Sequence, residues 1–174
     1  MKEWFWRMFA WVVTRECVAQ WMVRRASLTP YTPIMSRDGE RVYMHRYWLF
    51  NPYPKDEVER KKRWIRGRLP SARLHHIVHK DDDEHLHDHP WNARTVVLRG
   101  YYVEQLDDAG HVVAYRCRGH TGPVLFGQYH RIAHVSKGGV WTLFITWRYM
   151  GTWGFRVNGE KVPYKTYLGI EDGE

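Results

Sequence analysis

Cysteine is scarce in this chain: there are two among 174 residues, Cys17 and Cys117, far apart. That excludes a disulfide framework and a paired-cysteine metal site, and it suits a reducing, cytoplasmic setting. Long apolar runs are also missing. A membrane-spanning helix needs roughly 20 mostly apolar residues, yet the longest uncharged run of the aromatic N-terminal segment is Met8 to Thr14. A secretory signal would need a longer apolar region and a small-residue cleavage site. Internal repeats and low-complexity tracts are absent. So are a nucleophile elbow, a phosphate-cradling glycine loop, a zinc-finger cysteine pattern and any specific nucleic-acid-binding motif.

What is present is enough chain for one compact domain with a sizeable core, rich in aromatic residues and including ten tryptophans. The net charge of +8 is uneven: residues 1–73 hold 16 Lys/Arg against 7 Asp/Glu, and residues 74–174 hold 11 against 12. The basic character belongs to the N-terminal part, where a solvated basic face and contact with an anionic surface are both open.

Residues 2–26, "KEWFWRMFAWVVTRECVAQWMVRRA", contain no Pro or Gly and read as one amphipathic helix ended by Ser27 to Pro30. Glu3, Arg7, Thr14 and Arg25 share its narrow polar stripe. Such a helix packs on the protein body or on a second subunit of a homodimer, or it lies at a membrane interface, making the protein peripheral to a membrane. The chain thus divides into an N-terminal helical segment, 1–36, and a β domain, 37–174. Residues 41–50 read as a strand, and 51–70 as an exposed charged connection with a helical turn or two. Short β-rich runs follow at 73–79, 94–105, 111–118, 122–126, 139–149, 153–158 and 161–168, separated by turns such as "DDAG" and "SKGG". This pattern predicts an all-β barrel or sandwich.

The chemistry concentrates in "HLHDHPW", residues 85–91. On a strand, alternate residues share a face, so two histidines one residue apart can reach one ion, and neutral imidazole suits Fe, Zn, Cu or Ni. Pro90 should end the strand, leaving His87 and His89 on its last paired stretch. A further ligand is available in "FGQYHRIAH", residues 126–134, as His130, with His134 nearby; barrel closure can bring these segments together.

Here the chain resembles the cupins. "HDHPWNARTVVLRG" is similar to the first cupin motif, with His87 and His89 in its His-x-His and Gly100 as its closing Gly. "LFGQYHRIAH" is similar to the second, with Gly127 and His130 at its Gly and His. The motif's Glu, Pro and terminal Asn are replaced by Ala93, Leu125 and His134. The resemblance implies a cupin-type double-stranded β-helix, or jelly-roll barrel, with a mononuclear metal inside. Losing the Glu leaves three histidines, as in the cysteine-dioxygenase branch. The wider pattern over residues 37–169 resembles small cysteine-dioxygenase-like cupins often encoded by bacteriophages. A metal-free polar network, or an epimerase-like cupin, is the bland alternative.

His85, one pleat out, is expected beside or behind the ligands, and His75 on a preceding strand can face the same cavity. His76 and His79 are expected in packing or at the surface, and His111 and His120 beside exposed turns. A rival motif, His79-Lys80-Asp81, matches the His-x-Asp of 2-oxoglutarate oxygenases, with His130 as distal ligand. The following Asp82, Asp83 and Glu84 read instead as a solvated acidic loop. Three neutral ligands leave an ion's double charge intact and about three positions open on an octahedral metal. That favours Fe(II), ahead of Zn or Ni, with an anionic chelating substrate and dioxygen. Arg131 and Arg94 are the candidates to grip a substrate carboxylate, and Tyr129, Tyr101 and Trp91 to wall the pocket. The resemblance therefore implies an oxygenase acting on a small carboxylate- or thiol-bearing molecule. A non-catalytic cupin that binds a small molecule or a protein partner, such as a phage accessory protein, is the second hypothesis, since fold does not determine function.

Overall fold

The computed structural model describes residues 2–52 and 69–170. Most of the connection expected at 51–70 therefore lies outside the described residues. The N-terminal segment is two helices, α1 (Glu3–Val13) and α2 (Glu16–Ala26), rather than one. The break falls where β-branched Val12, Val13 and Thr14 crowd the helix. The Thr14 hydroxyl donates back to the Ala10 carbonyl (2.8 Å), Arg15 is extended, and Arg118 donates to the Thr14 carbonyl (2.5 Å). One straight helix over 2–26 would run roughly 37 Å. The bend instead lets Trp6, Ala10 and Val13 of α1 and Ala19, Met22 and Ala26 of α2 all be buried. No helix among the described residues is long and apolar enough to cross a membrane.

Among the described residues eleven strands follow: β1 (Pro30–Met35), β2 (Val42–Phe50), β3 (Ser71–Ile77), β4 (Trp91–Arg99), β5 (Tyr101–Gln105), β6 (Val113–Cys117), β7 (Thr121–Val124), β8 (Arg131–Val135), β9 (Val140–Tyr149), β10 (Gly154–Val157) and β11 (Glu160–Pro163). They form an antiparallel six-stranded sheet in the order β1-β2-β3-β9-β4-β7, a three-stranded sheet β6-β5-β8, and the hairpin β10-β11. The fold is all-β with N-terminal helices, and its two larger sheets face each other as in a jelly-roll barrel.

Three expectations need correction. The run 94–105 is two strands, because Gly100 turns the chain at φ +73°; a Cβ there would meet the Gly139 carbonyl oxygen at 2.6 Å. The run 161–168 is β11 followed by the short helix α3 (Tyr164–Leu168). Strands β1 and β8 were not anticipated. β1 carries Pro30 and Pro33, which an edge strand tolerates, and it joins the large sheet although it falls within residues 1–36.

Alternation along the large sheet decides what faces the site. Leu74, Val96, Leu98 and Leu143 point outward and pack against Ala10, Val13, Met22 and Ala26 of the helices. Their neighbours Ile77, Val97 and Val140 point inward and pack against Tyr102 and Ile132 of the opposite sheet. Arg73, His75, Thr95, Thr142 and Phe144 share that inner face and line a cavity of about 530 Å³.

Candidate metal centre

Residues 85–90 are not a strand but carry two local bridges at His87, to His130 and to Phe155, and β4 begins at Trp91. His87 N–H donates to the His130 carbonyl (2.9 Å), and His130 N–H returns the bond (3.0 Å). On the other side Asp88 N–H donates to Gly154 O (3.0 Å) and Arg156 N–H to Leu86 O (2.8 Å). This pairing is enough to impose strand-like alternation. Leu86 and Asp88 turn into the protein and are fully buried, while His87 and His89 turn into the cavity. Asp88 holds the segment there: it accepts from Gly154 N (2.8 Å), Gly127 N (3.3 Å) and Lys161 Nζ (2.6 Å).

The bridge also sets His130 beside the other two. One ring nitrogen from each of His87, His89 and His130 lies within 4.8 Å of the others, and His89 Nε2 is 2.8 Å from His130 Nε2. His130 Nδ1 lies 2.5 Å from Glu104 Oε1 of β5, and Arg116 Nε of β6 donates to the same carboxylate at 2.8 Å. Glu104 therefore orients the ring so that Nε2 points at the cluster, the usual role of a carboxylate behind a ligating imidazole. Asp81, whose Oδ2 accepts from Ile132 N–H (2.7 Å), stands 3.7 Å from His87 Nδ1.

Burial pushes two of the rings, His87 and His89, towards the neutral form. It lowers the His87 pKa to about 4, although the Asp81 charge opposes the shift. It holds His89 well below the usual value, helped by the neighbouring His130 and His87. For Glu104 burial acts to raise the pKa, but the hydrogen bonds and charges of His130 and Arg116 outweigh it and bring the carboxyl down to about 2. Three converging imidazoles, two with a carboxylate beside them, fit a divalent ion. Ala93, at the position of the cupin Glu, is buried with Val124 and Phe144 and offers no donor.

The remaining candidates are dispersed. His75 lines the cavity, stacked on Phe144 with centroids 5.0 Å apart, and its buried Nε2 has no hydrogen-bond partner among the described residues. Trp91 lines the cavity too. His85 sits outside it, with Nδ1 3.0 Å from the Tyr167 hydroxyl. His134 is exposed on β8 beside Tyr101 (centroids 5.8 Å apart), and Tyr101 packs on Tyr115; neither reaches the cavity. Tyr129 lies under Arg156. Arg131 is directed to the Asp83 and Glu84 carbonyls (3.1 and 2.9 Å). Arg94 does grip a carboxylate in a fork, but it is that of Glu3 in α1 (3.0 and 2.5 Å). Strand alternation aims Arg94 outward, next to inward-facing Ala93 and Thr95. His79 is exposed, so the His-x-Asp pair does not converge.

Sequence reasoning missed Arg73 and Glu104, and it named Asp81 only within the rival His-x-Asp motif. Arg73 reaches the cavity with its guanidinium over Trp91 (4.9 Å to the centroid) and Phe144 (5.6 Å). Glu104 looked like an ordinary strand residue. Asp81 lines the cavity, and so do Asp82 and Asp83 of the loop expected to be solvated, which pair with Arg41 and Arg37. The signal for Glu104 is its place on the strand after Gly100, with an inward parity shared with Tyr102.

No family model matches the chain, and no curated protein does at a significant level. Solved structures do. A cupin-like protein from Thermotoga maritima has a TM-score of 0.46 and 14% identity over 75% of this chain and 86% of that one. Fe(II) HppE has a TM-score of 0.45 and 16% identity over 63% of this chain; the match spans 52%, about half, of HppE. Oxalate decarboxylase from Bacillus subtilis has a TM-score of 0.47 and 9% identity, covering 82% of this chain and 32% of that protein.

Glu104 yields a direct test of this centre. Glu104→Gln should leave the fold in place and weaken divalent-metal affinity about 10- to 100-fold, the usual cost of losing a carboxylate behind a ligating histidine. Titration with a competing chelator measures it; unchanged affinity would show that the carboxylate serves only Arg116.

Proposed function

We infer that the protein holds one divalent metal ion, Fe(II) foremost, on His87, His89 and His130, and is an oxygenase of a small carboxylate- or thiol-bearing molecule. The observation that carries this is the donor set: three converging imidazoles, two of them, His87 and His89, pushed towards the neutral form by burial, with no carboxylate among the donors. Such ligands do not diminish the ion's charge, so an anionic substrate is favoured as an additional ligand. Fe(II) in this site would supply electrons to dioxygen, and the chain supplies position and charge.

The substrate's anionic end is assigned to Arg73 rather than to Arg94 or Arg131. Arg73 is the arginine on the inner face of β3, two residues from His75, and its guanidinium lies over the Trp91 and Phe144 rings. A fork in an apolar wall binds a carboxylate strongly because little water screens it. His75 Nε2 offers a second polar contact from the same strand face. Trp91, Phe144, Trp153 and Phe155 make the surrounding wall apolar and limit water near the ion.

The test uses nitric oxide, a stand-in for dioxygen on Fe(II). Protein loaded with Fe(II) in the absence of air should give a high-spin iron–nitrosyl paramagnetic resonance signal. Its shape should change when a small carboxylate or thiol binds, and Arg73→Ala should lose the response to carboxylates. Iron that loads well but never takes nitric oxide would leave the protein a binding cupin without oxygenase chemistry.

A further inference from the structure

The two helices cover the outside of the large sheet, yet they leave a second apolar face uncovered. On α1, Trp4, Phe5, Met8, Trp11 and Val12 follow helical spacing and are exposed, with Trp4 at 58% and Trp11 at 61%. Their face lies opposite the buried stripe of Trp6, Ala10 and Val13. On α2, Trp21 is likewise 61% exposed. Single exposed tryptophans are ordinary, but a helix that is apolar on both sides is not a plain surface helix.

The charges around this face are of one sign. Residues 2–26 hold Lys2, Arg7, Arg15, Arg24 and Arg25 against two acids. Both acids are engaged by the barrel: Glu3 by Arg94 and Glu16 by Arg99. The five cations are left exposed, one of them, Arg15, stacked over Trp11 at 3.7 Å. We propose that the exposed face of the α1–α2 hairpin docks on an anionic lipid surface. Tryptophan rings settle at the headgroup level of a bilayer, and arginines beside them meet lipid phosphates and carboxylates. A second copy fits poorly, because a two-fold interface on this face would set five cations against five. The short helices lie on the surface rather than cross it. The face is on the side of the large sheet away from the histidines, so docking stands or falls independently of the metal centre.

The test is flotation of the full-length protein with vesicles of phosphatidylcholine alone or mixed with phosphatidylserine. At low salt, binding to the mixed vesicles should be at least about tenfold tighter, and most of that preference should vanish near 1 M salt, where screening is strong. The variant Arg7→Glu/Arg24→Glu/Arg25→Glu should lose the preference, and Trp11→Ser/Trp21→Ser should weaken binding to both vesicles. Circular dichroism and metal content should stay at the unsubstituted level in each. Absence of flotation with either vesicle at low salt overturns the proposal. So does equal binding to both vesicles that ignores charge reversal. A solution dimer dissolved by Trp11→Ser/Trp21→Ser would make a second copy the occupant and overturn it as well.

Discussion

His87→Ala, His89→Ala and His130→Ala should each release most of the bound ion, with affinity falling by more than about 100-fold. Loss of an outer partner costs 10–100-fold, and a site with only three protein donors has none in reserve. His85→Ala should cost no more than an outer partner, since its ring is engaged with Tyr167 outside the cavity. Elemental analysis of protein purified without added metal measures all four. A site emptied by His85→Ala but full in His89→Ala would move the ligand register by one pleat. Acid should act through the same rings in the ion-free protein. His87 titrates near 4 when folded and near 6.5 when unfolded, so the unfolded chain takes the proton first. Stability contributed by keeping this ring neutral is present above about pH 6.5 and is lost as pH falls towards 4. Thermal unfolding of the ion-free protein across that window should show it.

Asp88→Ala should be the most destabilising single change near the site, at about 2–4 kcal/mol. Asp88 is fully buried, so its removal strands the Gly154 N–H and leaves Lys161 without its counter-ion. Lys161 is 31% exposed, so solvent screens the charge left behind and the loss stays below that of a wholly buried pair. At this size a loss of that order lowers the unfolding midpoint by roughly 4–16 °C. Metal binding should fall as well, because Asp88 is the anchor between His87 and His89. Asp88→Asn keeps an acceptor for Gly154 and should cost less. A midpoint unchanged in Asp88→Ala would mean that the backbone bridge to His130 holds the segment unaided.

Much of the site could be read along the chain because its parts are local. The His-x-His spacing and the proline after it place His87 and His89 on one side wherever the backbone is extended, and two hydrogen-bonded neighbours suffice for that. Gly127 and His130 are similarly close in sequence. The β-rich runs and their turns were visible for the same reason: strand alternation and turn chemistry act over a few residues. β1 escaped because its prolines are tolerated only at an edge, and edge position is a property of the assembled sheet.

What tertiary structure decided is the meaning of the charged residues. Arg73 and Arg94 both sit in β-rich runs, and one faces the cavity while the other ties down Glu3, because β3 and β4 present those positions to opposite sides of one sheet. Glu104 becomes the partner of His130 only when the smaller sheet closes over the cavity. The N-terminal segment bends because both helices must bury a face on the same sheet. Residue types and short spacings determined which chemistry is available; the closure of two sheets around a cavity decided which side chains can take part.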